Sequence, residues 1–459
     1  MSRKIVILGS GESGMGAAQL AASKGDTVFL SDYGKISAEN KQLLDQWKVA
    51  YEEEQHTSEK ILEADYIVKS PGIPDNVSIV NQAKEHGISV ISEIEYAFWY
   101  VPVEAKVIAI TGTNGKTTTT LLAHHLLLSA GLDVALAGNV GYSLAKRVAE
   151  RDYDYYVIEV SSFQLDGIVR FRPDVAVLLN ISPDHLDRYD NKFERYVASK
   201  FRITENLTKD ECFIYCSDSI PVTEELSKRK VEACLFAISA TKQVTEGAFI
   251  DNEHLIFNFT FKDQSKKHRI PVSDIRLIGR HNMINSMAAI LAALTLEVSI
   301  EKIIKGLKTF DNAPHRLEYF AEINGVRYIN DSKATNVESV YYALDGIEQS
   351  IIWIAGGIDK GNDYSQIQSL VKRRVKALVC LGVDNRQLKD FFSPIIDLME
   401  ETQDINEAVK IAERWAKPGD VVLLSPACAS FDLFKNYEDR GDKFKDAVKN
   451  NTDHLIPKL

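Results

Sequence analysis

Cysteine is scarce in this chain: five residues in 459, odd in number and scattered at Cys212, Cys216, Cys234, Cys380 and Cys428. That spacing offers no disulfide framework and points to a reducing compartment, the cytosol. Cys212 and Cys216 share a face of a strand-like run, which suits a metal pair or, as the favoured reading, two buried thiols. Long apolar runs are missing as well. No stretch reaches the roughly eighteen residues of a membrane span, and the four apolar residues before Gly9 fall short of the ~7 a secretory signal needs. Positive charge is in deficit: 54 Lys and Arg stand against 65 Asp and Glu, a net charge of −11. Without a basic stripe, a nucleic-acid grip is excluded, although local basic pockets for small anions are not. Low-complexity tracts and short-period repeats are also lacking.

What remains is a globular composition, 45% hydrophobic and 26% charged, in a chain long enough for two or three cores. Short apolar runs alternate with longer amphipathic ones, the pattern of parallel sheets covered by helices. Strand-like runs fall at 4–9, 27–32, 66–70 and 88–92. A second group lies at 107–111, 134–138, 155–160, 175–181 and 212–216, and a third at 327–331, 351–356, 377–382 and 421–425. Proline-containing linkers near 100–104 and 310–314 separate the groups. The expected fold is therefore α/β with three domains, at 1–101, 102–312 and 313–459. Many runs end in Gly, Ser, Asp or Pro, and ligands of open parallel sheets bind beyond the carboxyl ends of the strands.

The strongest local signal is TGTNGKT at 111–117, where a strand enters a glycine turn and a helix is expected over 117–131. Backbone N–H groups at such a helix start face phosphate, and the helix dipole favours the anion. Lys116 would sit against the terminal phosphates and Thr117 would hold Mg²⁺. The general phosphate-loop pattern has Gly where this chain has Ile110, so the motif is a variant. A second loop, Gly9-Ser-Gly11-Glu-Ser-Gly14, is followed by Asp32 at the end of the next strand. It suits either a nicotinamide dinucleotide or a uridine diphosphate sugar. Downstream, EVSSFQL (159–165) and SPDHLDRY (182–189) end two further strands, which would bring Glu159 and His185 to the rim of Thr117 as a metal site.

With GNVG (138–141), RHN (280–282), PHR (314–316), NDSKATN (330–336) and SPACAS (425–430), these segments resemble the ATP-dependent Mur ligase family over essentially the whole chain, and most of all its D-glutamate-adding members. The resemblance implies a Rossmann-like N-terminal domain for the UDP substrate, a central ATPase-type parallel sheet with the phosphate loop, and a Rossmann-like C-terminal domain for the amino acid. It implies a cytoplasmic, monomeric ligase of peptidoglycan precursor synthesis. Its partners would be ATP, UDP-N-acetylmuramoyl-L-alanine and D-glutamate, with two Mg²⁺ ions.

Carried over by position, Gly112, Thr113, Asn114, Gly115, Lys116, Thr117, Thr118, Asn282, Asn285, Arg316 and Asp331 would serve ATP. Ser13, Asp32, Gly72, Asn139 and His185 would serve the UDP substrate, with the loop at 69–73 offering amides to its pyrophosphate. Thr335, Lys360, Ser430, Phe431 and Tyr437 would serve D-glutamate. Lys116, Lys200, His185 and Lys333 would act in catalysis. Thr117, Glu159, His185 and Lys200, the last as a CO₂-derived carbamate, would hold metal. The segment at 310–314 would bring ATP and amino-acid pockets together. One departure stands out: Glu12-Ser13 replaces an apolar–hydroxyl pair, and a carboxylate beside a pyrophosphate is unfavourable unless it points away. The rival readings are an NAD(P) oxidoreductase, a sister ligase for another amino acid or a folate, and a regulatory ATPase.

Overall fold

A computed structural model describes residues 2–277 and 279–452. Its strands gather into three sheets, and each has central runs apolar enough to be buried on both faces. The first sheet is wholly parallel, in the order Ala50–Glu52, Thr27–Ser31, Lys4–Leu8, Tyr66–Lys69, Ser89–Ser92. That is the Rossmann order, and its switch point lies between Lys4–Leu8 and Tyr66–Lys69. The Gly9 loop and the loop after Lys69 therefore flank one crevice.

The second sheet has nine strands. Its parallel centre places Lys106–Thr111 between Val175–Leu178 and Tyr155–Glu159, so the phosphate loop, Glu159 and the segment after Leu178 emerge on one rim. An antiparallel extension, Gly247–Asp251, His254–Phe261 and Gln264–Pro271, was not legible as continuous apolar runs. It alternates instead: Leu255, Phe257, Phe259 and Phe261 point inward, with less buried residues between, as a one-sided antiparallel sheet requires. Ala50–Glu52, Cys234–Ser239, Glu318–Ile323 and Leu398–Thr402 also escaped the sequence reading, because they are short or only partly buried.

In the third sheet the last strand, Val421–Leu424, inserts between Val326–Asn330 and Ile351–Ala355. This insertion sets the segments after Asn330, Leu424 and Ala355 side by side. The helix expected at 117–131 is Lys116–Ser129. All five cysteines are thiols, and burial pushes Cys212 up to about 12 and Cys216 to about 11. No cluster of three or more His, Cys, Asp or Glu suited to a metal occurs among the described residues. Among them, too, no helix is long and apolar enough to cross a membrane.

By packing, the chain forms two units. One is Met1–Arg276 with Ile284–Phe310; the other is Leu277–Met283 with the chain from Asp311 on. Within the first unit, helix Glu12–Ser23 of the first sheet lies on helix Leu144–Glu150 of the second. Gly16 permits the approach, since a Cβ there would stand 2.0 Å from Ser143 Oγ. Two carboxylates meet the second helix at its N-terminus, where anions are favoured. Glu12 Oε1 accepts from Ser143 N–H at 3.1 Å, and Glu93 accepts from Ala145 N–H. The unusual Glu12 thus points away from the glycine loop and into this junction. Burial, reinforced by Glu12 against the hydrogen bond from Ala145, raises the Glu93 carboxyl to about 7.

Candidate active site

The phosphate loop is held by hydrogen bonds of the protein itself. Asn114 and Asn180 bond reciprocally: Asn114 N–H donates to Asn180 Oδ1 at 2.8 Å, and Asn180 Nδ2 donates to Asn114 O at 3.0 Å. Thr113 Oγ1 accepts from Ser182 N–H at 3.0 Å and lies 3.2 Å from Tyr196 OH. Gly115 opens the helix with φ +84°, and a Cβ there would stand 2.3 Å from Asn285 Oδ1. Only glycine meets both demands. Asn285, assigned to ATP on sequence, is therefore packed on the loop; Asn282 lies one turn earlier on the same helix, Arg280–Thr295. Gly112, Thr117 and Thr118 complete the loop and the first helical turn.

Two amines converge here. Lys116 Nζ donates to Gly112 O at 2.8 Å and Thr113 O at 2.7 Å. Lys200 Nζ, from helix Phe193–Phe201, donates to the same Gly112 O at 2.8 Å and to Thr111 Oγ1 at 3.2 Å. Lys200 is buried, 2% exposed. Burial first, and the Lys116 charge second, hold its amine well below the usual lysine range, against Asp184, Glu159 and Asp166. Desolvation thus disfavours the charged form of this amine.

Glu159 ends its strand 2% exposed, with Oε1 accepting from Asn139 Nδ2 at 2.8 Å and Oε2 without a hydrogen-bond partner. A buried carboxylate oxygen left unpaired is costly, and a cation would satisfy it. His185 is more open. It lies in the left-handed region, φ +52°, with its ring 5.3 Å from Phe163 edge-on.

At the first-sheet crevice Asp32 is already engaged. Oδ2 accepts from Ser10 N–H and Oγ–H, both at 2.6 Å, and Oδ1 accepts from Gly34 N–H at 2.7 Å. Burial would raise its pKa, but these bonds outweigh it and hold the carboxyl below its usual value. The carboxylate therefore shapes the glycine loop as well as facing the crevice. Ser13 lies in the first turn of Glu12–Ser23, and Gly72 in the facing loop. Ser70 Oγ is buried at this crevice without a partner.

In the second unit Asp331 Oδ2 accepts from Ser425 Oγ–H at 2.8 Å and Oδ1 from Leu317 N–H at 3.1 Å. Burial raises its carboxyl to about 7, against those two bonds and the charges of Arg316 and Arg440. Lys333 Nζ stands 3.7 Å from the Tyr437 ring centroid, a cation held on an aromatic face. The loop carrying Lys360 pairs with the one carrying Ser430, through Ile358 N–H to Ala429 O at 2.8 Å. Ser430 is buried, whereas Lys360 and Phe431 are exposed. Thr335 follows on the same turn as Lys333. A cavity of about 360 Å³ in this unit is lined by none of Thr335, Lys360, Ser430, Phe431 and Tyr437; Asp359, Asp384, Asp432 and Gln387 line it, with Ile358, Val383 and Leu388.

Sequence reasoning missed Asn180, Tyr196 and Arg440. Arg440 is 1% exposed and donates to Ser332 O at 2.8 Å, Cys428 O at 3.2 Å and Gly356 O at 3.4 Å, tying together three strand ends. Nothing local marks such a residue, because its partners lie up to 108 positions away.

Known proteins resemble this chain over nearly its whole length. Residues 4–79 match the MurD N-terminal domain, 110–293 the Mur ligase middle domain, and 315–428 the Mur ligase, glutamate ligase domain. UDP-N-acetylmuramoylalanine–D-glutamate ligase of Christiangramia forsetii is 50% identical over 98% of this chain and 100% of its own length. The protein of the same name from Cytophaga hutchinsonii is 49% identical over 98% and 99%. Among solved structures, a pseudomurein peptide ligase type C from Methanothermus fervidus shares the fold at TM-score 0.61 and 21% identity, over 98% of this chain and 100% of its own. MurF ligase from Thermotoga maritima, in complex with ADP, does so at TM-score 0.61 and 16% identity, over 95% and 97%.

Proposed function

We propose, from the premise that this chain belongs to the Mur ligase family, that it joins D-glutamate to UDP-N-acetylmuramoyl-L-alanine at the expense of ATP, in peptidoglycan precursor synthesis. The observation that carries the reading is the meeting of Lys116 and Lys200 on the Gly112 carbonyl, beside the unpartnered oxygen of Glu159.

Amide formation in water is uphill, so the substrate carboxylate must first be activated. Its oxygen attacks the γ-phosphorus of ATP; the bond to the bridging oxygen breaks, leaving an acyl phosphate and ADP. Two anions meet in that step, and positive charge has to offset them. Lys116 supplies it by leaving the loop carbonyls for the phosphate oxygens, while the loop amides and the helix dipole hold the rest of the triphosphate. Thr117, Glu159, His185 and a carbamylated Lys200 would hold Mg²⁺, which supplies charge neutralisation and alignment of the reacting oxygens. Asn282 and Asn285 serve the adenine side of ATP, and Arg316 and Asp331 its phosphate side.

Lys200 is suited to carbamylation by its surroundings. The neutral amine adds to the carbon of CO₂ and releases a proton, which turns a buried would-be cation into an anion. The amine of D-glutamate then attacks the acyl carbon and phosphate leaves. Lys360 pairs with the side-chain carboxylate, Thr335, Ser430 and the Phe431 backbone hold the second, Tyr437 walls the pocket, and Lys333 stands by the departing phosphate. Ser13, Asp32, Gly72, Asn139 and His185 position the UDP-linked substrate. The test is ADP release with UDP-N-acetylmuramoyl-L-alanine, comparing D- with L-glutamate. Turnover with the D-enantiomer alone supports the reading, and equal or absent turnover refutes it.

A further inference from the structure

Arg188 lies three residues after His185, in the run SPDHLDRY. The same turn carries both: Arg188 N–H donates to His185 O at 3.0 Å, in the short helix Leu186–Tyr189. Its guanidinium lies 4.4 Å from the Phe163 ring centroid and reaches across to the first sheet. There it donates to three consecutive carbonyls of the loop after Lys69: Pro71 O at 3.3 Å, Gly72 O at 3.4 Å and Ile73 O at 3.1 Å. Lys69 Nζ adds a bond to Ile73 O at 2.7 Å.

The arrangement dictates which way the loop's amides face. A peptide group is planar and trans, so its N–H points opposite to its C=O. With the Pro71 carbonyl held by Arg188, the N–H of Gly72 is turned away from it. Ile73 N–H bonds inward to Ser70 O at 3.1 Å, while Pro71 and Pro74 have no N–H. Ser70 N–H bonds to Leu8 O at 3.0 Å, so among the backbone N–H groups of 70–74 it is Gly72 N–H that is left outward, at the Rossmann switch point. A cation at the carbonyl end of that peptide also polarises its N–H toward an anion.

We infer that Arg188 is a positioning residue for the UDP-linked substrate: it fixes the 71–73 loop so that Gly72 N–H meets the diphosphate, and it ties that loop to the turn carrying His185. The inference rests on the substrate assigned under the proposed function. A planar fork suits the task, since one lysine ammonium cannot span three carbonyls and also lie flat on Phe163.

The test compares wild type, Arg188→Ala and Arg188→Lys with KM measured separately for the UDP substrate, ATP and D-glutamate, and with calorimetric titration of UDP. Arg188→Ala is expected to raise KM for the UDP substrate and Kd for UDP together by about tenfold to a hundredfold, the worth of a charged hydrogen-bond set. KM for ATP and D-glutamate should stay within about twofold, and Arg188→Lys should fall between. Unchanged UDP affinity overturns the inference, as does a parallel rise of all three KM values, which would mark general loosening. If the alanine variant does not fold, the lysine variant carries the same comparison. If the wild type ligates nothing, the proposed function fails, while UDP titration of the three proteins still decides the role of Arg188.

Discussion

Replacing Glu93 with glutamine isolates a charge buried where the first sheet meets the second. Glu93 is 1% exposed, one oxygen accepts from Ala145 N–H, and the other has no hydrogen-bond partner. Its carboxyl lies at about 7 in the fold against an ordinary 4.5. A folded-state value above the unfolded one means that the native state holds the proton more tightly. Stability is therefore present below about pH 4.5 and is lost as pH rises toward 7. At about 1.4 kcal/mol per pH unit, the loss between pH 5 and pH 8 is about 3 kcal/mol as an upper figure. Glutamine keeps the acceptor for Ala145 and cannot ionise, so Glu93→Gln should match the wild type near pH 5 and exceed it at pH 8. Urea unfolding at several pH values, followed by tryptophan fluorescence, measures the difference in midpoint at equal m. Other titrating groups, including Asp331, cancel because both proteins carry them. Parallel pH profiles, or a less stable variant at pH 8, would refute the reasoning.

Other expectations concern the reaction. Gly115→Ala should cost more than a hundredfold in ATP turnover with the far-UV spectrum retained, because the left-handed turn and the Asn285 contact at 2.3 Å both exclude a Cβ; near-normal turnover would contradict the loop geometry. If Lys200 works as a carbamate, buffer stripped of CO₂ at mildly acidic pH should lower the initial rate and bicarbonate should restore it. A rate indifferent to bicarbonate would remove that role. Lys360→Ala should raise KM for D-glutamate by about tenfold or more, the scale of one charged hydrogen bond, with kcat little changed; normal glutamate saturation would remove the assignment.

Much of the fold was legible along the chain because parallel strands buried on both faces read as continuous apolar runs, as in Lys106–Thr111 and Ile351–Ala355. The phosphate loop was legible for a similar reason. Its turn, its lysine and its helix are local, and glycine at 115 records a backbone demand in a single letter. The antiparallel extension was not, since alternation in His254–Phe261 is a weaker signal than an unbroken run. Nor was the purpose of Glu12, which looked misplaced beside a phosphate site until the fold turned it onto Ser143.

By itself, then, the sequence determined which segments become the buried parallel strands, where the glycine turn enters helix Lys116–Ser129 and which residue types carry charge at the ends of those strands. Tertiary structure alone decided that Lys200 lies buried against Gly112, that Glu159 keeps an unsatisfied oxygen, and that Arg188 and Arg440 tie loops far apart in the chain. The division follows range: turns and periodicity are set by neighbours within a few residues, whereas desolvation and long-range hydrogen bonds exist only once the sheets have brought distant segments together.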